Sequence, residues 1–206
     1  MTSPLEPEPS TAAADFGKGL ALIGYRGTGK STIGKLVARR AGRKFLDLDR
    51  EIERRAARPI HAIFLEKGEP AFRDLEESVL LDLAVQHDCV LATGGGAILR
   101  ESNRRGLRNF GLIVWLTASC EVLARRLSHD GREGKARPAL TSAGTLAEIE
   151  TVLTQRLPLY QLAADARVET EGRPASRVAE DVLQLWVDWR VAGGRRPTDD
   201  DDREPS

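Results

Sequence analysis

Residues Gly24-Tyr25-Arg26-Gly27-Thr28-Gly29-Lys30-Ser31 put a lysine and a hydroxyl directly behind a glycine-rich turn. In the spacing G-x-x-x-x-G-K-[ST], consecutive backbone N–H groups curl around a phosphate, the lysine reaches its β/γ oxygens, and the hydroxyl can ligate Mg²⁺. The loop works only if a strand delivers it and a helix continues it. The apolar run Leu20-Ala21-Leu22-Ile23 before it and the stripe Ile33, Leu36, Val37 after it meet both requirements. A nucleoside triphosphate is the expected ligand, with Gly27, Thr28, Gly29, Lys30, Ser31 and Thr32 as its candidate contacts.

Other groups of residues carry weaker signals, each with a plainer alternative. Asp47-Leu48-Asp49 closes an expected strand, Lys44–Leu48, and alternation along a strand would put both carboxylates on one side at the carboxyl edge of a sheet. Alone, a D-x-D is more often surface charge. Another expected strand, Cys89–Thr93, runs into Gly94-Gly95-Gly96, which leaves main chain bare for close approach of a ligand, or simply makes a tight turn. From Ile60 to Glu77 the helical period breaks at Gly68-Glu69-Pro70, and the stretch is long enough for a small helical flap. Within it, Arg73 could offer its planar fork to a substrate carboxylate with Glu76 at i+3 orienting it, or the two could be an ordinary surface pair. His61 reads as partly exposed helix.

The polar, glycine-bearing stretch Ser128–Pro138 has the composition of a lid that brings Arg137 onto a phosphoryl group in transfer; a solvated loop has the same composition. Arg156 stands two residues before Pro158, where a helix is expected to end. An arginine in a last turn can serve only to complement the helix dipole.

These side chains need a scaffold that gathers them along one edge. The β-type runs Leu20–Gly24, Lys44–Leu48, Cys89–Thr93, Leu112–Leu116 and Ala166–Thr170 alternate with helical ones, which predicts a parallel sheet in one α/β domain. The last helix, near Ala175 to Arg190, presents Val178, Val182, Leu185, Trp186 and Trp189 to a core. With 206 residues and 41% hydrophobic content the chain can bury a core on both faces of a sheet. Its 31 basic and 31 acidic residues cancel, so no global field draws it to nucleic acid or a membrane. Cys89 and Cys120 lack metal-ligand spacing and read as buried free thiols in a reducing compartment. Residues 1–15 and 192–206 have the composition of disordered tails, leaving 16–191 as the domain; neither a secretion signal nor a membrane span is visible.

Taken together and in this order, these residues resemble shikimate kinase over about Leu20 to Trp189. The resemblance rests on the phosphate loop, Asp47-Leu48-Asp49, the segment Ile63-Phe64 through Gly68-Glu69 to Phe72-Arg73 with Glu76, the glycine triplet, Arg137-Pro138, and Arg156 with Pro158-Leu159-Tyr160. It implies a P-loop, nucleoside-monophosphate-kinase-like three-layer α/β fold with a five-stranded parallel sheet in the order 2-3-1-4-5. A substrate-binding segment at about 50–77 and a lid at about 128–141 come with it. The implied reaction is ATP-dependent phosphorylation of the 3-hydroxyl of shikimate, giving shikimate 3-phosphate and ADP, a step toward chorismate and the aromatic amino acids.

By position, the resemblance makes Lys30 and Arg137 the stabilisers of the transferred phosphoryl group and Asp49 a candidate base. Ser31 and Asp47 would hold Mg²⁺, while Asp49, Arg73, Gly94, Gly95, Gly96 and Arg156 would line the shikimate pocket. Arg125 or Arg126, of which Arg126 is taken here, and Arg173 would flank adenine. The partners implied are ATP and shikimate, without nucleic acid or membrane, in a cytoplasmic monomer. Two rivals remain: a kinase of gluconate or another small polyol on the same fold, and a catalytically weak ATP-dependent regulatory module. The chain departs from the family pattern in Tyr25-Arg26, where small or apolar residues are more usual, in a longer lid, and in Ala139 where a leucine is expected.

Overall fold

A parallel sheet buried on both faces needs strands that are apolar at every position. The strand β1 (Gly19–Ile23) is buried throughout, with Leu20 and Leu22 in one core and Ala21 and Ile23 in the other. The computed structural model describes residues 19–86, 89–129 and 146–194. After β1 come α1 (Lys30–Ala41), β2 (Lys44–Asp47), α2 (Leu48–Ala56), α3 (Ile60–Ala84), β3 (Cys89–Ala92), a 3₁₀ turn (Ala97–Leu99), α4 (Glu101–Phe110) and β4 (Gly111–Thr117). The chain continues with α5 (Cys120–His129), α6 (Leu146–Ala163), β5 (Ala166–Glu169) and α7 (Ala175–Val191). The five strands are parallel in the order β2-β3-β1-β4-β5, as expected.

The helices cover the sheet in two layers. On one face α1 and α7 pack Val37, Val182 and Trp186 over Leu20 and Leu22, with Leu36, Leu185 and Trp189 half-buried at the margin. Burial of side chains of this size stabilises by about 1.5–3 kcal/mol each relative to exposure. On the other face Ile52, Phe72, Leu80, Phe110 and Tyr160 join Ala21 and Ile23. A smaller cluster sets Tyr25 against Leu123 of α5 and Ile149 of α6, tying the phosphate loop to the helices that flank it.

Three local details differ from the sequence expectation. The strand expected over Lys44–Leu48 ends at Asp47, because the Asp47 carboxylate accepts the Arg50 backbone N–H (3.4 Å) and caps α2. Asp47 and Asp49 therefore straddle a strand-to-helix junction and are not strand neighbours. The helix expected to stop at Pro158 runs on to Ala163. Pro158 removes one helical hydrogen bond, but the next turn is anchored by Tyr160, which is fully buried and stacked on Trp115 with centroids 5.5 Å apart. Cys89 is buried, whereas Cys120 opens α5 half-exposed rather than buried in the sheet. Among the described residues no helix is long and apolar enough to cross a membrane. The expected N-terminal tail, all of the expected C-terminal tail beyond residue 194 and nearly all of the expected lid, Arg137 included, lie outside the described residues.

Candidate active site

The phosphate loop joins β1 to α1 at the carboxyl edge of the sheet, where open α/β folds bind ligands. Gly27 and Gly29 have φ of 80° and 90°, conformations costly for any residue with a Cβ, and they let the loop turn its N–H groups toward a phosphate. The Thr28 hydroxyl donates to the Tyr25 carbonyl (2.8 Å) and closes the turn. Lys30, only 9% exposed, donates from Nζ to the carbonyls of Gly24 (2.8 Å) and Tyr25 (2.7 Å), which holds the ammonium at the loop's mouth. Ser31 Oγ donates to Asp47 Oδ2 (2.7 Å), bringing the two expected metal ligands together from the start of α1 and the end of β2.

Facing this loop is the segment after β3. Gly95 O accepts from Tyr160 Oη (2.7 Å) and Arg156 Nη1 (3.2 Å), so α6 holds the triplet from the side. Arg156 sits within α6, and its partner is this carbonyl instead of a helix terminus. Gly96 is glycine for a steric reason. A Cβ there would lie 2.6 Å from both Nη1 and Nη2 of Arg73, so the guanidinium rests on the bare main chain of the triplet. Arg73 itself starts the second half of α3. Gly68, with φ 75° and ψ 174°, breaks the helix before Pro70, and the restart sets Glu69, Arg73 and Glu76 on one side.

Arg73 and Glu76 are no surface pair: Arg73 is 8% exposed and Glu76 is 0%. Glu76 Oε2 accepts from Nη1 (2.6 Å), while Glu69 Oε1 accepts from both Nε (3.1 Å) and Nη2 (2.9 Å). Burial opposes the Arg73 charge. The attraction of Glu76 and the hydrogen bonds to Glu76 and Glu69 outweigh it, and the guanidinium pKa lies above its ordinary value. Three of the five N–H groups of Arg73 are thus engaged, which leaves two for a ligand.

One cavity of about 980 Å³ runs between the two sides, lined by the phosphate loop, Asp47 and Asp49, Arg73, and Gly94 and Gly95. It extends past Arg125 and Arg126 to Arg173. Arg126 donates to Gly27 O (3.1 Å), Thr170 Oγ1 (3.0 Å) and Thr170 O (2.9 Å), clamping α5 to both the loop and the end of β5. Arg173 is tied to Asp181 (2.5 Å) at the far rim. This is room for a nucleotide next to a small polar acceptor, with oxygen ligands for a hard cation between them.

The shikimate kinase family model matches residues 26–186 of the chain. The chain belongs to the shikimate kinase family. A shikimate kinase of Rhodopirellula baltica is 41% identical over 165 residues, 80% of this chain and 88% of its own length. Among solved structures, a shikimate kinase from Acinetobacter baumannii in complex with shikimate superposes with a TM-score of 0.78 at 37% identity, covering 84% of this chain and 95% of that one. A gluconokinase from Sinorhizobium meliloti, with a TM-score of 0.54 and 20% identity, shares the fold alone.

The residues expected from sequence for a shikimate kinase are distributed unevenly over this cavity. Gly27, Thr28, Gly29, Lys30, Ser31, Thr32, Asp47, Asp49, Arg73, Gly94, Gly95, Arg126, Arg156 and Arg173 all line it. Gly96 lies behind, under Arg73. Further lining residues, Arg26, Phe64, Glu69, His129 and Glu148, were not expected as site residues. Glu69 had a usable signal, since it precedes Arg73 by four residues across a helix restart. Glu148 had none, because its position depends on how α6 packs.

Proposed function

We propose that the chain catalyses transfer of the γ-phosphoryl group of ATP to the 3-hydroxyl of shikimate. The observation that carries this reading is the facing of a phosphate loop and a buried, carboxylate-caged arginine across one cavity. A phosphoryl donor fits the first, and a small acid with hydroxyls fits the second. Arg73 and Arg156 would take the acceptor's carboxylate, and Gly94 and Gly95 would let its ring lie against main chain. Phosphoryl transfer asks the protein chiefly for positioning and charge stabilisation. Lys30 would stabilise charge on the transferred group, joined by Arg137 of the lid segment, and Asp49 would accept the proton of the attacking hydroxyl. Arg126 and Arg173 would flank the base.

The residues present fit Mg²⁺. Ser31 Oγ and Asp47 Oδ2 form an all-oxygen pair beside the loop. Among the described residues no group of three or more His, Cys, Asp or Glu forms a cage. Magnesium commonly keeps several waters and binds through one or two protein oxygens plus substrate phosphates. When bound, it would neutralise charge on the β- and γ-phosphates.

We take residues 16–191 as the kinase domain, with tails on either side, and the protein as a cytoplasmic monomer that binds neither nucleic acid nor membrane. The balanced charge supports the last point. The deciding experiment is a coupled assay of ADP release with shikimate, gluconate and other polyols as acceptors. Mass spectrometry should identify shikimate 3-phosphate as the product. Ready phosphorylation of gluconate with shikimate untouched would overturn the assignment.

A further inference from the structure

The cations around the cavity differ in how they are engaged. Lys30 is held by two loop carbonyls, Arg73 by Glu69 and Glu76, Arg126 by Gly27 and Thr170, and Arg156 by Gly95. Arg26 is different. It lines the same cavity, it is half-buried, and its Nε is buried without a hydrogen-bond partner. Its guanidinium carbon lies 5.8 Å from the Tyr25 ring centroid. A buried Nε–H without a hydrogen-bond partner carries a desolvation cost that an anionic ligand drawing the guanidinium toward itself would offset.

The position of Arg26 indicates which anion. It follows Tyr25, whose ring is buried against Leu123 and Ile149, so the backbone from which Arg26 projects is anchored to α5 and α6. Its own backbone N lies 3.4 Å from where a Cβ on Gly95 would stand. The Arg26 backbone therefore lies at the seam between the phosphate loop and the glycine triplet of the acceptor side, and its side chain starts from there along the cavity wall. The group that must cross this seam is the γ-phosphoryl group.

We infer that Arg26 is a further catalytic residue, donating N–H groups to the transferring phosphoryl oxygens from the acceptor side of the loop. The inference rests on the proposed phosphoryl transfer from ATP to shikimate. In that step the acceptor hydroxyl oxygen bonds to the γ-phosphorus as the bond from that phosphorus to the β,γ-bridging oxygen breaks. The hydroxyl proton passes to the Asp49 carboxylate, and ADP leaves. Arg26 exchanges no atoms. It acts on the charge spread over the equatorial oxygens, where planar guanidinium donors are effective in phosphoryl transfer.

The test uses the full chain with Arg26→Met and Arg26→Lys, both assayed with ATP, Mg²⁺ and shikimate beside the parent. Expected is a fall in kcat of roughly 10- to 100-fold for Arg26→Met, with the KM values for ATP and shikimate changed by less than about threefold. Affinity for the mimic formed by MgADP, fluoroaluminate and shikimate should fall by a similar factor while MgADP affinity holds. Arg26→Lys should recover part of kcat and guards against a folding defect in the first variant. An unchanged kcat overturns the inference. So does a raised shikimate KM at unchanged kcat, which would make Arg26 an acceptor-binding residue. A parent protein inactive on shikimate instead overturns the reading on which the inference rests, before any variant is compared.

Discussion

The two sides of the cavity are built by different means. On the nucleotide side the cavity wall is a backbone loop, shaped by Gly27 and Gly29 and locked by the side chains of Thr28 and Lys30. On the acceptor side it presents long side chains from α3 and α6, held by carboxylates and by bare main chain. A backbone cradle is generic and recognises any phosphate. A caged guanidinium is selective, because its charge is already paired and only the remaining N–H groups are aimed at a ligand. On the proposed reading the kinase separates a common donor site from a specific acceptor site, and substitutions on the two sides should fail in different ways.

The largest effect should come from the donor side. Lys30→Met removes the cation at the mouth of the loop and should lower kcat by about 10²–10³-fold, the scale of losing one preorganised charge-stabilising donor. Because Lys30 also ties the Gly24 and Tyr25 carbonyls, thermal stability should fall as well; calorimetry beside steady-state kinetics separates the two losses. Equal kcat in parent and variant would end the comparison as drawn.

On the acceptor side the failure should appear in affinity. Arg73→Lys keeps the charge but loses the planar fork, and should weaken shikimate binding by about 1.5–3 kcal/mol with ATP affinity nearly unmoved. Titration calorimetry with each ligand reads this directly. If shikimate binds the variant as well as the parent, Arg73 is only a buried partner of Glu76 and the carboxylate is recognised elsewhere.

A subtler change sharpens the same contrast. Gly96→Ala adds one methyl group where the Arg73 guanidinium rests. The guanidinium is the flexible end of its side chain, so the fold should survive while the fork is displaced. Shikimate KM should rise about tenfold, equivalent to roughly 1.4 kcal/mol, with ATP KM unchanged. An intact shikimate KM would show that the triplet does not set the position of Arg73.

The smallest effect lies outside both sides, on the helix that carries Asp49. Hydrogen bonds from Arg54 and Arg55 lower the Glu51 carboxyl from 4.5 to about 2. A carboxylate depressed on folding stabilises the fold above its unfolded pKa, and that contribution disappears as pH falls through the folded one. The parent should therefore exceed Glu51→Gln in stability by on the order of 1 kcal/mol near pH 7, after discounting for the exposed Arg54. Denaturant titrations should show that gap closing between about pH 4.5 and 2, with turnover at neutral pH alike in both. A gap that persists at pH 2 would place the effect elsewhere than in this ion pair.

How much of the molecule could be read without its structure follows the same division. The phosphate loop was legible because its geometry is set by eight adjacent residues, and the parallel sheet was legible because its three inner strands are buried along their whole length, while the edge strands β2 and β5 keep an apolar residue or two beside charged ones. The D-x-D pair was found for an incomplete reason: both carboxylates reach the cavity and Asp47 meets Ser31 of the loop, but across a helix cap at Asp47 that strand alternation could not foresee. The helix through Pro158 was missed because a local rule about proline yields when Tyr160 is buried beyond it.

By itself, the order of residues determined the donor site and the strand sequence, since both depend on neighbours along the chain. Tertiary structure decided that Arg73 and Glu76 are buried, that the Arg73 guanidinium rests where a Gly96 side chain would stand, and that the Arg26 backbone lies at the seam of the two sites with its Nε lacking a hydrogen-bonding partner. These facts depend on which groups meet across the cavity, and on the dielectric and space that packing leaves around them. Residue spacing along the chain contains neither.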